Sequence, residues 1–207
     1  MKRLTFLLLS LLPLSLYGQE ASIPLSLSLF NNGTSLPGGG YLGVFSKNLH
    51  PGITLGTGLT YRQRPRTALF QTLKLGYFYH RHAQHAVQLY SEFGYRYYIT
   101  RKWYAEGLPG LGYLHSFADM QQFRWEQGRY VPKKNYGRPQ FMLTASLSAG
   151  YDLTSLHVPL RLFLQYQFWL QAPFVNKYVP LLPNTALHIG AVYQLPRSRK
   201  QPSVPQL

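Results

Sequence analysis

The chain has 207 residues, no cysteine and a formal net charge of +15 at pH 7. Only 13% of its residues are charged while 15% are aromatic, including 17 tyrosines, against about 25% charged in an average soluble domain. That balance argues against a charge-covered soluble surface, and the missing cysteines exclude disulfides and a cysteine-linked lipid anchor.

Lys2 and Arg3 precede a mostly apolar run from Leu4 to Leu16, and Tyr17, Gly18 and Gln19 follow it. This layout predicts a cleaved secretory signal peptide over residues 1–18, its apolar run being too short for a spanning helix. Export turns the basic excess away from nucleic acid. Its expected partners become outer-membrane lipid and the phosphates of lipopolysaccharide.

Residues 19–195 form one domain. They contain no 18-residue apolar run and so predict no transmembrane helix. What recurs is two-residue alternation over about ten residues, the signature of a membrane barrel strand. The first strand is either 23–30 or 39–46. Clear alternation follows over 53–62, 69–80 and 87–98. A less regular strand at 103–114 has Pro109 in its middle, which predicts a bulge. Residues 141–152, 160–171 and 185–195 alternate again. Eight strands result, since closure of a single-chain bacterial barrel favours an even number.

A soluble sandwich alternates too. Here, however, one face is almost free of charge, while the other mixes Gly, Ser and Thr with Lys74, Glu92, Arg96, Asp152, Arg161 and His188. Aromatics also gather at strand ends. Tyr77, Tyr79, Tyr113 and Phe141 mark one end, and Tyr61, Tyr95, Tyr97, Trp103, Tyr151 and Tyr193 the other. Two such belts match the girdles of outer-membrane barrels. The prediction is an all-β, eight-stranded, antiparallel up-and-down transmembrane barrel. Short turns at 64–66, 100–102 and 154–158 alternate with more elaborate links at 46–52, 81–85, 118–140 and 171–184. The third of these holds a long extracellular loop, 119–139. Residues 196–207, rich in Pro, Ser, Lys and Arg, are expected to be a disordered periplasmic tail.

In plan the chain resembles the small eight-stranded OmpA/OmpX-type barrels. It looks more closely like a family of small bacterial outer-membrane β-barrel proteins that carry segments such as Tyr77-Phe78-Tyr79-His80, Gly112-Tyr113-Leu114-His115, Tyr136-Gly137-Arg138-Pro139 and 183–190. The resemblance covers nearly all of the exported chain. It implies fold and location, and no activity or cofactor.

Four groups of residues are candidates for chemistry. His80, His82 and His85 share a short link and have the spacing of imidazole metal ligands, although neither a carboxylate nor a cysteine accompanies them. His115-Ser116 with Asp119 is similar to the His and Ser of lipid A deacylases, small barrels with a Ser nucleophile and a His base. Their His-x-Ser-Asn arrangement is missing from His115-Ser116-Phe117-Ala118, and adjacent strand residues point to opposite faces. Lys74, Glu92, Arg96 and Glu106 fall on the inward face of three successive strands. Because the lumen of an eight-stranded barrel is just wide enough to be filled by side chains, the expectation is an ion-paired plug. In the long loop, Arg124, Arg129, Lys133, Lys134 and Arg138 accompany Phe123, Trp125, Tyr130 and Tyr136, a set suited to anionic glycan. The expected function is a structural or interaction barrel with surface loops that contact lipopolysaccharide. The alternatives are an acyl hydrolase acting on lipid A and a narrow pore. A monomer without cofactor is expected.

Overall fold

A computed structural model of the protein describes residues 22–37, 49–81, 83–132, 134–156, 158–174 and 180–195. The expected signal peptide, the tail 196–207, the alternative first strand 39–46, His82 and Lys133 lie outside these residues.

Among the described residues ten strands run in chain order: β1 (Ile23–Gly33), β2 (Pro51–Gln63), β3 (Thr67–His80), β4 (Gln84–Tyr98), β5 (Trp103–Ala118), β6 (Phe123–Glu126), β7 (Arg129–Pro132), β8 (Arg138–Asp152), β9 (Leu160–Ala172) and β10 (Leu182–Leu195). Eight of them close a barrel in the order β1-β10-β9-β8-β5-β4-β3-β2, every pair antiparallel. The segment beginning at Ile23 therefore supplies the first strand. Pairing β1 with β10, from Ile23↔Leu195 to Gly33↔Thr185, leaves the barrel without an edge. Lipid offers no water to an unpaired strand, so closure is what makes a sheet tolerable there.

The alternation of the sequence sorts the wall into two faces. Outward lie Leu25, Leu27, Leu29, Leu55, Leu73, Leu75, Leu89, Leu143 and Leu164, all exposed. Exposed Tyr77, Tyr79, Tyr113 and Phe141 flank this apolar band at one end, and Tyr61, Tyr95, Tyr97, Trp103 and Tyr193 at the other. A sheet that presents leucine between two aromatic belts is built to be solvated by lipid.

At the second end, the turn end, the links are brief. Arg64 N–H donates to the Thr67 carbonyl at 2.7 Å. Thr100 Oγ1 accepts from the Trp103 amide at 3.0 Å. Asp152 Oδ1 accepts from the Thr154 amide at 2.9 Å, capping a short 3-10 turn. These are the side-chain-to-backbone bonds that Thr and Asp offer in turns. The opposite, loop end is less uniform than its sequence suggests. There β3 ends at His80 and β4 starts at Gln84, and Ala83 N–H donates to the His80 carbonyl at 3.1 Å. The link expected over 81–85 is shorter than that, because β4 starts at Gln84 and carries the alternation further.

Two other expectations are corrected. Pro109 makes no bulge. It pairs with Ala145 in unbroken register on the β8 side, and the β4 pairing has the same register before and after it, at Glu92↔Gly110 and Tyr95↔Gly107. A proline removes one ladder donor, and here the ladder skips the position without slipping. The one register shift recorded in the barrel lies between Thr60 and Arg62. The loop between β5 and β8 is not irregular throughout, since β6 and β7 form a separate two-stranded ribbon. Its turn runs through Gln127 (φ 48°) and Gly128 (φ 79°), the two left-handed residues that a tight hairpin requires.

Candidate functional site: a filled lumen and a projecting ribbon

Inside the barrel, aromatic rings and charges share the space. Phe30, Phe70, Tyr90 and Tyr104 are buried. Each faces a glycine across the ladder: Phe30↔Gly52, Phe70↔Gly94, Tyr90↔Gly112 and Tyr104↔Gly150. A Cβ on any of these glycines would come within 2.4 Å of the aromatic residue opposite. Phe30, Phe70 and Tyr104 therefore place their rings over bare backbone, and Tyr90 its Cβ, which lets a narrow barrel hold several aromatic residues. Towards the loop end, Phe78, Leu114, Met142 and Trp169 pack into an apolar cluster. An amide layer accompanies it. Gln84 and Gln171 exchange bonds of 3.1 and 3.2 Å, Gln171 Nε2 donates to Gln140 Oε1 at 2.8 Å, and Ser116 donates to that same oxygen at 2.9 Å.

Four of the inward ionisable residues form two pairs. Lys74 Nζ donates to Glu92 Oε2 at 2.7 Å, and Arg96 Nε donates to Glu106 Oε1 at 2.5 Å. Glu92 is fully buried. Its other oxygen accepts from Ser146 at 2.6 Å, Gln167 at 3.2 Å and Thr144 at 3.5 Å. One carboxylate thus ties β4 to β3, β8 and β9, with donors on both oxygens, the condition under which a buried charge is tolerable. The Arg96 guanidinium lies 4.8 Å from the Phe70 ring and 4.9 Å from the Tyr104 ring. Lys74, Arg96, Glu106 and Arg161 line a cavity of about 60 Å³ towards the turn end, well below the roughly 300–1,000 Å³ of a small-molecule site.

The hydrolase pair does not assemble. Ser116 points inward and donates to Gln140, whereas His115 lies on the outer face against Tyr113 and the Tyr136 carbonyl. Alternation along β5 separates them. Asp119 accepts from the Tyr79 hydroxyl at 3.1 Å. The histidine group divides in the same way. His80 stacks on His50 at 3.7 Å, while His85 stacks on Phe117 at 5.2 Å on the outer face. Among the described residues no three His, Cys, Asp or Glu side chains are grouped to hold a metal ion.

The loop cations have different surroundings. Arg138 is half-buried, donates to the Phe174 carbonyl at 2.9 Å and lies over the Phe174 ring, so it belongs to the barrel rim. Arg124 pairs with Glu126 at 2.5 Å on the ribbon. Arg129 and Lys134 are exposed.

No protein-family model matches the chain, and no curated protein matches its sequence. Solved structures do match its fold. It is similar to Neisserial surface protein A (NspA), with a TM-score of 0.55 and 11% identity over 84% of this chain and 98% of that one. It also aligns with Ail, the attachment invasion locus protein of Yersinia pestis (TM-score 0.48, 14% identity, 86% of this chain and 100% of that one), and with the outer membrane enzyme PagL (TM-score 0.48, 8% identity, 83% and 99%). The fold is that of the small eight-stranded outer-membrane β-barrels.

Proposed function

We propose that this outer-membrane barrel is a surface-interaction protein whose loop end contacts the phosphates of lipopolysaccharide or another anionic surface glycan. The observation that carries the reading is the filled lumen. With rings, amides and paired charges packed across it, the barrel offers solutes little passage. Its wall is committed to lipid. The parts free to recognise something else are the outer links, where a rigid scaffold usually carries its binding groups. The β5–β8 loop is the richest of these in cations and aromatics. Among the described residues Arg129 and Lys134 are exposed there, as is Arg124, which is paired with Glu126, and Lys133 adds a further cation by sequence.

The test is binding of purified, refolded protein to lipopolysaccharide across a salt series. The comparison is the triple variant Arg129→Ser, Lys133→Ser, Lys134→Ser, with Arg138 left intact because it braces the rim. Electrostatic contact predicts binding that weakens with added salt and drops several-fold in the variant. Equal binding by parent and variant, or none by the parent at low salt, removes the reading.

A further inference from the structure

The β6–β7 ribbon has two unlike faces. Its register pairs Phe123 with Pro132 and Trp125 with Tyr130, placing these four on one side. Arg124, Glu126, Arg129 and Val131 take the other. Trp125 and Tyr130 meet edge to face at 4.8 Å, and all four residues of the aromatic side are exposed. A lone two-stranded ribbon is marginally stable at best, and an uncovered aromatic face marks a contact surface.

The legs of the loop show which way the ribbon leaves the barrel. On the first leg, Asp119 accepts from the Tyr79 hydroxyl. On the second, His115 Nε2 meets the Tyr136 carbonyl at 3.1 Å. A carbonyl only accepts, so Nε2 carries the proton and Nδ1 accepts from the Tyr113 hydroxyl at 2.7 Å. Gly137, at φ 72°, lies so close that a Cβ there would stand 2.4 Å from His115 Nε2 and 2.8 Å from the Phe117 ring. Tyr79, Tyr113, His115 and Phe117 all belong to the outer face, at the loop-end aromatic belt. Both legs therefore bind to the lipid side of the wall, and Tyr136 is exposed beside them.

We propose that the aromatic face of the ribbon lies in the headgroup–acyl boundary of the outer leaflet around the barrel, continuing the loop-end belt, with the Arg124 and Arg129 side turned to the polar layer above. This deepens the reading given above and rests on it only for the identity of the anion over the ribbon. Aromatic side chains favour that depth, and a ribbon with one apolar and one charged side satisfies both layers at once, as amphipathic interfacial helices do.

The chain has three tryptophans. Trp103 lies in the turn-end belt and Trp169 is buried in the lumen, so the difference between parent and Trp125→Phe isolates the ribbon. Both proteins are refolded into phosphatidylcholine vesicles without lipopolysaccharide, then titrated with aqueous iodide and with lipids brominated near the headgroup end of their chains. The expected Trp125 signal is blue-shifted, strongly quenched by bromolipid and at least twofold less quenched by iodide than free indole. Full iodide quenching without a bromolipid response overturns the proposal. Iodide protection that appears only as protein is crowded in the vesicle assigns the face to a second copy and overturns it too. Because lipopolysaccharide is absent, failure here is separate from failure of the glycan reading.

Discussion

The Arg96–Glu106 pair of the lumen and the Arg124–Glu126 pair of the ribbon have the same nitrogen–oxygen distance, 2.5 Å. Their side chains are 9% and 9% exposed in the lumen against 65% and 43% on the ribbon. Equal geometry therefore carries unequal consequence. In the lumen, losing one partner strands a charge among rings and amides. On the ribbon, water takes the place of the lost partner. Shared distance says little about what a pair contributes, and surroundings decide it.

Three substitutions measure that contrast, each read as the urea midpoint of the refolded barrel. The largest effect is expected from Glu92→Gln. It leaves Lys74 buried against a neutral amide and weakens the bonds from Ser146 and Gln167, a loss of about 3–5 kcal/mol. An unchanged midpoint would mean that the lumen behaves as an aqueous channel. Glu106→Gln should cost less, about 1.5–3 kcal/mol, because Arg96 keeps its place between the Phe70 and Tyr104 rings. A loss as large as that of Glu92→Gln would make the two lumen pairs equivalent and deny the rings any part. Glu126→Gln is expected to shift stability by no more than about 0.5 kcal/mol. A clear drop there would show the ribbon to be packed against the barrel and would erase the contrast.

The wall was open to reading from the amino-acid order because a half-buried strand writes its two faces alternately. Residues 141–152 show this in full, and β8 extends that reading only as far back as Arg138. The contents of the lumen were harder to see. Phe70, Phe78 and Trp169 sit among polar neighbours and look like breaks in a pattern, since alternation names a face and not what fills it. The inward glycines are the available signal: Gly52, Gly94 and Gly150 each mark the landing place of a ring, but only once the register is known. Register also decides which acid meets which base, so Lys74, Glu92, Arg96 and Glu106 could be grouped by sequence but not paired. The ribbon is not legible in the sequence because four residues are too few to establish a period, although Gly128 stands at its turn. His115 and Ser116 were separable in advance, being neighbours on a strand.

Barrel closure gives the protein a last step. β2 to β5 pair in sequence order, β8 follows β5 once the ribbon has been looped out, and β9 and β10 follow in turn. Each of these contacts is available while the chain is still arriving. The pair β1–β10 joins the two ends of the strand series, so it cannot form until every other strand has been delivered. Until then both outer strands carry a row of unbonded amides and carbonyls that neither lipid nor a neighbour can satisfy. The last edge of this fold is thus removed by its contact most distant in sequence, the one that separates a closed barrel from an open sheet.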